Sequence, residues 1–182
     1  MKVISTKFSD VKILVPTIHK DSRGHFYEGY NSDDFNAIVG EQISFKQDNQ
    51  SKSKKNVIRG LHYQIHPHTQ GKLVRVLKGE VFDVVVDVRS ESKTLGHWFS
   101  VNLSDVNNYQ LWIPSGYAHG FLTLTDDAEI FYKATEYYHP ESERTIRWDD
   151  PDININWGID FPILSSKDES GCLFKNADYI EI

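Results

Sequence analysis

Residues 60–79 decide how this chain is interpreted, and they read Gly-Leu-His-Tyr-Gln-Ile-His-Pro-His-Thr-Gln-Gly-Lys-Leu-Val-Arg-Val-Leu-Lys-Gly. A second informative stretch, residues 114–121, reads Pro-Ser-Gly-Tyr-Ala-His-Gly-Phe. Both place His or Lys side chains at strand-like spacing among β-branched and aromatic residues. A hydrophobic core has no need of these cations, so the pattern predicts a functional site carried on strands.

Length and composition predict a single, mainly all-β domain spanning residues 1–182. The chain has 182 residues, a length sufficient for one continuous core. Aromatic residues make up 13% of it. Short runs rich in Val, Ile, Thr and aromatic residues alternate with Asp, Asn, Gly and Pro turns, a pattern typical of a β-sandwich or barrel. We expect only a few short helices, one of them beginning with the N-cap sequence at Asn31.

The apolar runs define the expected strands. Lys78-Gly79-Glu80 predicts a tight turn that joins two of them into a hairpin, and the polar run 51–56 (Ser-Lys-Ser-Lys-Lys-Asn) indicates a solvated basic loop. Strands are expected over 11–18, 73–77, 81–88, 98–103, 110–113, 120–124 and 129–138.

Charge and cysteine content narrow the class of protein. The formal net charge of -6 argues against a nucleic-acid binder, because neutralising phosphates requires a basic surface. The single cysteine, Cys172, cannot form an internal disulfide, which favours a reducing, cytoplasmic location. No apolar run approaches the roughly 20 residues that span a bilayer, and the N-terminus lacks a signal-peptide pattern, so we expect no membrane association.

The spacing of Gly60, His66, His68, residue 72 and Gly79 matches the first cupin motif. The second motif is echoed by Pro114-x-Gly116-x-x-His119. Metal-binding cupins place a Glu where this chain has Lys72, and an ammonium group repels a divalent cation. The sequence therefore predicts a jelly-roll scaffold without a metal, and a metal-dependent cupin using His66, His68 and His119 stays as an alternative.

His62 is the residue whose interpretation changes with context. A lone His in an apolar strand is more often a satisfied core residue than a catalyst. Arg59, Lys72, His119 and Tyr132, however, lie on segments that a barrel brings around one cavity. Convergence of titratable groups is the usual mark of a functional site.

With these residues in view, the sequence resembles the dTDP-4-dehydrorhamnose 3,5-epimerase family, cupin-like jelly-roll enzymes of deoxysugar biosynthesis. The resemblance covers nearly the whole chain. It rests on these motifs, in order: Asp21-x-Arg23-Gly24-x-Phe26-x-Glu28, Gln47-Asp48-Asn49, Ile58-Arg59-Gly60-Leu61-His62-Tyr63-Gln64, Gln70-Gly71-Lys72-Leu73-Val74-Arg75-Val76, Ile113-Pro114-x-Gly116-x-Ala118-His119-Gly120-Phe121, Trp148-x-Asp150-Pro151 and Leu164-Ser165-x-Lys167-Asp168.

The resemblance implies epimerisation without a cofactor at carbons 3 and 5 of dTDP-4-dehydro-6-deoxy-D-glucose, giving dTDP-4-dehydro-L-rhamnose. The ketone at carbon 4 acidifies the hydrogens on both neighbours, so the reaction needs a base, an enolate partner and an acid on the opposite face. The resemblance assigns His62 as base, Asp168 as its partner, Lys72 to the enolate oxygen and Tyr132 as acid.

The same resemblance implies the substrate contacts and a homodimer that covers edge strands. Tyr138 is expected to stack on the thymine ring, and from strand alternation we expect Asp83 to hydrogen-bond His119. The remaining implied substrate-binding residues are Arg23, Phe26, Glu28, Gln47, Asn49, Arg59, Lys72, His119, Glu143 and Lys167.

Two positions depart from the family pattern. His25 stands where an aromatic or apolar residue is usual, and Gly158 follows Trp157 where Pro is common. They leave open a mono-epimerase that inverts only carbon 3 or carbon 5 of a related nucleotide sugar. A non-catalytic sugar-nucleotide-binding protein is a further alternative.

Overall fold

The computed structural model describes residues 1–181, which form two antiparallel sheets, a separate two-stranded hairpin and three short helices. The strands are β1 Lys2–Ser5, β2 Lys12–Val15, β3 His19–Asp21, β4 Gly24–Phe26, β5 Gln47–Lys54, β6 Ile58–Gln64, β7 Lys72–Lys78, β8 Glu80–Asp87, β9 Trp98–Ser104, β10 Gln110–Ile113, β11 Tyr117–Thr123, β12 Asp127–Ala134 and β13 Glu143–Thr145. The helices are α1 Ser32–Val39, α2 Ser166–Glu169 and a 3-10 turn, Phe174–Asn176.

Two sheets stack face to face. The six-stranded sheet has the order β1-β2-β10-β7-β12-β5, and the five-stranded sheet has the order β13-β6-β11-β8-β9. Val74 and Ile130 from the first sheet share a buried cluster with Val85 and Phe121 from the second. This arrangement confirms the predicted all-β sandwich with few helices.

Each sheet is also covered on its outer face. The segment that follows β13 packs Ile153 and Trp157 onto the five-stranded sheet, against Leu61 and Val84. Strand β8, an interior strand of this sheet, is therefore buried on both of its faces.

Helix α1 covers the outer face of the six-stranded sheet. The Asn31 side chain accepts hydrogen bonds from the backbone N–H groups of Asp33 and Asp34, and the helix ends at Gly40 in the left-handed conformation, with φ 86°. Phe35 is the buried residue of this helix, and its ring meets that of Trp112 edge-on at 5.1 Å between centroids. The helix predicted at Asn31 is confirmed and runs on to Val39.

The hairpin predicted around Lys78-Gly79-Glu80 is wrong. Strand β7 pairs with β10 and β12, whereas β8 pairs with β11 and β9, so the turn carries the chain from one sheet to the other. Gly79 has φ 79°, a conformation that glycine adopts without strain. The turn lies where the sequence predicted it, but the two strands that it joins, β7 and β8, do not pair with each other.

The basic loop predicted over 51–56 is also wrong, because residues up to Lys54 belong to the edge strand β5. Every second side chain of this strand is exposed. The outward Lys52 lies 3.0 Å from Asp127 and 3.3 Å from Glu129 on the neighbouring strand β12. Lysines on the outer side of an edge strand discourage further strand pairing.

Within residues 1–181, none of the helices combines the length and the apolar character needed to cross a membrane.

Candidate active site

At one end of the sandwich the apolar core between the sheets gives way to polar side chains. On β12, Ala128 and Ile130 belong to the core, and Tyr132 lies next along the strand on the same face. On the antiparallel strand β7, Val74 belongs to the core, and Lys72 lies next to it on the same face, toward the same end of the sheet. Gln47 and Asn49 extend this face on the edge strand β5, where Asn49 lies opposite Tyr132. The six-stranded sheet therefore contributes a polar surface at this end.

The five-stranded sheet contributes the opposing surface. His62 on β6 lies directly opposite His119 on β11 in the antiparallel register. The flanking Leu61 and Tyr63 point to the other face, into the second buried cluster. We call the following residues the inter-sheet cluster: Gln47, Asn49, Arg59, His62, Lys72, Asp83, His119 and Tyr132.

A short hydrogen bond joins His62 to Asp168. The His62 Nε2 and Asp168 Oδ1 atoms are 2.6 Å apart, and the exposed fractions of the two side chains are 24% and 3%. A carboxylate only accepts hydrogen bonds, so the proton of a neutral imidazole resides on Nε2 and Nδ1 keeps its lone pair. Helix α2 thus fixes the tautomer in which Nδ1 can take up a proton.

Electrostatics keep this pair ready to act as a base. Burial lowers the pKa of His62 and outweighs the hydrogen bond that His62 donates to Asp168, which acts in the opposite direction, while Lys167 and Lys72 lower the pKa further. Burial would raise the pKa of Asp168, but hydrogen bonds from His62 and Ser165 outweigh it, and the pKa is lowered. The imidazole is therefore neutral, and the carboxylate ionised, around neutral pH.

Lys72 places a titratable ammonium beside the histidine strand. Its Nζ donates a hydrogen bond to the backbone carbonyl of His62 at 3.4 Å. Burial lowers the pKa of Lys72 to about 8, with Glu143 and Asp83 acting in the opposite direction. The group is still mostly cationic at neutral pH and can stabilise an oxyanion.

Tyr132 supplies a protonated hydroxyl on the opposite sheet. Burial raises the pKa of Tyr132, the Glu143 carboxylate adds to this, and Arg59 opposes it. The phenol is therefore fully protonated at neutral pH and can donate a proton to a strongly basic carbon.

His119 is held by a carboxylate of its own. Its Nε2 lies 2.9 Å and 3.0 Å from the two oxygens of Asp83, which is fully buried. The hydrogen bond expected from strand alternation is thus present. It fixes the ring of His119 with Nδ1 directed away from the carboxylate.

Tyr138, Glu143 and Lys167 form a hydrogen-bonded group at the rim. The Tyr138 hydroxyl donates to one oxygen of Glu143 at 2.9 Å, and the Lys167 Nζ donates to the other at 2.8 Å. Strand β13 brings Glu143 opposite Gln64 on β6. The rim is thereby tied to both the histidine strand and helix α2.

Arg59 lies at the boundary between the two sheets. Its Nε donates to the Ser53 hydroxyl at 2.9 Å, although the residue is solvent-exposed. Gln47 donates to Asn49 at 2.9 Å and accepts from the backbone N–H of Tyr138 at 3.0 Å. A cation and several amides are thus available beside the proton-transfer groups.

Three of the expected substrate contacts are not brought to this cluster within the described chain. Arg23 and Phe26 lie on the hairpin β3–β4, with Phe26 71% exposed and Arg23 paired to Asp21 at 2.6 Å. Glu28 is exposed and accepts a hydrogen bond from Asn31 at 3.4 Å.

The ligand set of the metal-dependent alternative is not assembled either. His66 is exposed, and its Nε2 lies 2.9 Å from the Glu181 carbonyl; His68 stacks on His139 at 3.4 Å between centroids. Across residues 1–181, no group of three or more His, Cys, Asp or Glu side chains is arranged to hold a metal ion.

Three contacting residues were not singled out from the sequence. Ser165 bonds Asp168, Ser53 bonds Arg59, and Gln64 bonds the backbone of His68, Tyr137 and His139. Ser165 and Gln64 both stand inside motifs that carry the family resemblance. The helix-capping pattern of Ser165, three residues before Asp168, was the signal that could have identified it.

Fold and site together define a cupin-like sandwich equipped for acid–base chemistry at its open end. The sequence model of the dTDP-4-dehydrorhamnose 3,5-epimerase family matches residues 5–176. This chain belongs to that family.

Relatives cover almost the whole chain. It is 52% identical over 179 residues to the dTDP-4-dehydrorhamnose 3,5-epimerase of Shigella flexneri, spanning 98% of this chain and 99% of the relative. The crystal structure of the dTDP-6-deoxy-D-glucose-3,5-epimerase of Legionella pneumophila Philadelphia 1, in complex with dTDP-4-keto-L-rhamnose, superposes with a TM-score of 0.94 at 47% identity, covering 97% of this chain and 94% of that one. A 3'-monoepimerase from Streptomyces bikiniensis, in complex with dTDP-quinovose, has a TM-score of 0.89 at 33% identity, covering 93% and 86%.

Proposed function

We propose that this protein epimerises carbons 3 and 5 of dTDP-4-dehydro-6-deoxy-D-glucose to give dTDP-4-dehydro-L-rhamnose. The observation that carries the proposal is the 2.6 Å bond between His62 and Asp168 at the open end of a sandwich shared with 3,5-epimerases. The reaction moves protons only, so the side chains of the cluster are sufficient for it.

The proposed steps follow the placement of the charges. His62 Nδ1 removes the proton from carbon 3 or 5, and the electron pair of that C–H bond passes into the carbonyl at carbon 4 to give an enolate. Lys72 donates to the enolate oxygen. Tyr132 then delivers its hydroxyl proton to the carbon from the opposite face, which inverts the centre, and exchange with solvent restores His62 and Tyr132.

Substrate recognition is assigned to the groups around the cluster. Arg59 offers a fork of donors to the pyrophosphate, and His119, held by Asp83, binds phosphate or sugar oxygens. Tyr138, which is half-exposed at the rim, stacks on the thymine ring. Gln47, Asn49, Glu143 and Lys167 complete the contacts to the sugar nucleotide.

Deuterium incorporation tests the proposal directly. Protein incubated with dTDP-4-dehydro-6-deoxy-D-glucose in deuterated water is expected to label both carbon 3 and carbon 5, as read by NMR. No label at either carbon contradicts the proposal. Binding without any exchange identifies a non-catalytic sugar-nucleotide-binding protein.

A mono-epimerase is the second candidate, because the Streptomyces bikiniensis 3'-monoepimerase shares this fold at 33% identity. Label at only one carbon identifies it. The higher identity to 3,5-epimerases, 52% for the Shigella flexneri protein, favours inversion at both carbons.

We propose further that residues 1–182 form one domain that acts as a homodimer in the cytoplasm. The exposed hairpin that carries Arg23 and Phe26, followed by exposed Glu28, supports the dimer, because these residues contribute to a site only if a second copy receives them. Light scattering measures the mass of the particle. A monomer that is fully active contradicts the dimer and leaves the reaction unaffected.

A further inference from the structure

Ser165 makes two hydrogen bonds to the same residue, Asp168. Its Oγ donates to Asp168 Oδ2 at 2.7 Å and accepts from the Asp168 backbone N–H at 3.2 Å. The second of these bonds is the N-cap of helix α2. The Ser165 hydroxyl therefore caps helix α2 and also donates a hydrogen bond to the carboxylate of Asp168 in that helix.

The two oxygens of Asp168 are held from different directions. Oδ1 accepts from His62 Nε2 at 2.6 Å and from the Gly60 backbone N–H at 3.3 Å. Within residues 1–181, Ser165 is the hydrogen-bond donor to Oδ2. Because donors hold both oxygens, rotation of the carboxylate plane would break one of these bonds, and His62 donates to an acceptor of fixed direction.

The charges around this pair are all substrate-site groups. Lys72, Lys167 and Glu143 act on His62, and His119 faces it across the strand pair. Ser165 and the Gly60 backbone N–H are uncharged donors to the carboxylate, and Ser165 is the one on Oδ2. A donor to the carboxylate stabilises its negative charge, and so moderates how tightly the carboxylate holds an imidazolium.

We propose that Ser165 is a positioning residue that orients the Asp168 carboxylate and thereby sets the proton affinity of His62 during catalysis. This inference rests on the proposed function of His62 as the base. It goes beyond capping, because the donated bond to Oδ2 is not part of the helix cap.

Three substitutions of Ser165 distinguish the hydrogen bond that it donates to Asp168 Oδ2 from the one that it accepts as the helix N-cap. Ser165→Gly removes the donor but keeps most of the N-cap preference, since glycine is nearly as good a cap as serine. Ser165→Ala removes the donor and the cap. Ser165→Thr keeps both, and Ser165 is exposed, so the added methyl group has room.

The expected result is a shared defect of the Gly and Ala variants that the Thr variant lacks. We expect kcat to fall roughly tenfold with little change in KM, the lower end of the effect seen when an outer partner of a metal-binding histidine is lost. The acid limb of the pH profile should move to higher pH by about 0.5 unit, because the unrestrained carboxylate holds imidazolium more tightly.

Wild-type kcat and a wild-type acid limb in Ser165→Gly would overturn the proposal and leave Ser165 as a cap alone. Direct NMR titration of the His62 ring provides a readout that does not depend on turnover. If the wild-type protein exchanges no substrate protons, the proposed function fails, while an upward shift of the His62 titration in the Gly variant still supports the coupling. An unchanged titration overturns it.

Discussion

His62 and His119 lie opposite one another on β6 and β11, and each Nε2 is bonded to a different buried carboxylate, Asp168 for the first and Asp83 for the second. Both rings are thereby held in the tautomer with a free Nδ1. Lys72 lies close to His62, since its Nζ donates to the His62 backbone carbonyl and its charge lowers the pKa of the ring. Proton transfer by His62 and binding by His119 are the roles that we propose for the two rings.

Replacing His62 with Asn should abolish turnover while sparing binding. The loss of a general base typically lowers the rate by about 10²- to 10⁴-fold. The rate of deuterium entry at carbons 3 and 5 measures it, and calorimetry with dTDP serves as the binding control. Near-normal exchange in the His62→Asn variant would assign the base elsewhere.

The activity should fall on the alkaline side as Lys72 loses its proton. Its pKa of about 8 is lowered from the ordinary value, so the cation is present below this pH and lost above it. Tyr132 does not titrate in this range, because its pKa is raised. We expect kcat to decline between about pH 7 and pH 9.

Lys72→Arg is the matched control for the decline of kcat at alkaline pH. Its guanidinium stays charged throughout the range, so any residual activity should be flat where the wild type declines. An alkaline limb that persists unchanged in Lys72→Arg would show that another group causes it.

Removing the Tyr132 hydroxyl should uncouple exchange from inversion. In Tyr132→Phe the base on the five-stranded sheet remains, so substrate protons still wash out into deuterated water and return to the same face. We expect exchange into recovered substrate with product formation reduced about 10²-fold or more. Equal loss of exchange and inversion would place both proton transfers on one group.

In substrate binding, Asp83 should act through His119, separately from the effect of its charge on the pKa of Lys72. Asp83→Asn is expected to raise KM about tenfold, corresponding to about 1.4 kcal/mol of binding free energy. If the carboxylate serves only to orient the ring, the double variant with His119→Ala should be no worse than His119→Ala alone. Additive losses in this cycle would mean that Asp83 contacts the substrate independently.

The buried ion pair at the end of strand β8 supplies a stability test. Arg89 bonds the fully buried Asp87 at 2.7 Å and the Tyr117 hydroxyl at 2.6 Å, with its side chain 17% exposed. Arg89→Met leaves the Asp87 carboxylate buried without its cation and should lower the free energy of unfolding by about 3 kcal/mol. Denaturant titration measures this, with Arg89→Lys as the charge-retaining control.

The pH dependence of that stability has a definite sign. Burial would raise the pKa of Asp87, but hydrogen bonds from Arg89, Ser92 and Thr94 prevail and lower it. The contribution is therefore present above the unfolded-state pKa of about 3.9 and is lost as the pH falls through the lower folded-state value. The acid limb of stability should be shallower in Arg89→Met.

The strands that the sequence predicted well include β8, which its run of valines buries, and β9, which begins at Trp98 as expected. The pairing of strands could not be predicted from the apolar pattern. The turn at Gly79 looks identical in sequence whether the chain folds back on one sheet or crosses to the other, and only the packing of both sheets decides between them.

Strand β5 was missed for a physical reason that also concerns the site. Its inward side chains, among them Gln47 and Asn49, are polar because they line the open end of the sandwich, and its exposed ones, Asp48, Gln50, Lys52 and Lys54, are polar as well. A strand without an apolar face resembles a loop. In contrast, the bond between His62 and Asp168, residues far apart in the chain, was anticipated only because the whole motif set matched a known family.

Asp168 and Lys167 come from α2, which follows every strand of both sheets along the described chain. Ribosomes synthesise proteins from the N-terminus, so a nascent chain that has completed its sheets still carries a histidine without its carboxylate. The proposed base and its carboxylate can therefore come together only after the C-terminal segment has been synthesised and has packed over the five-stranded sheet.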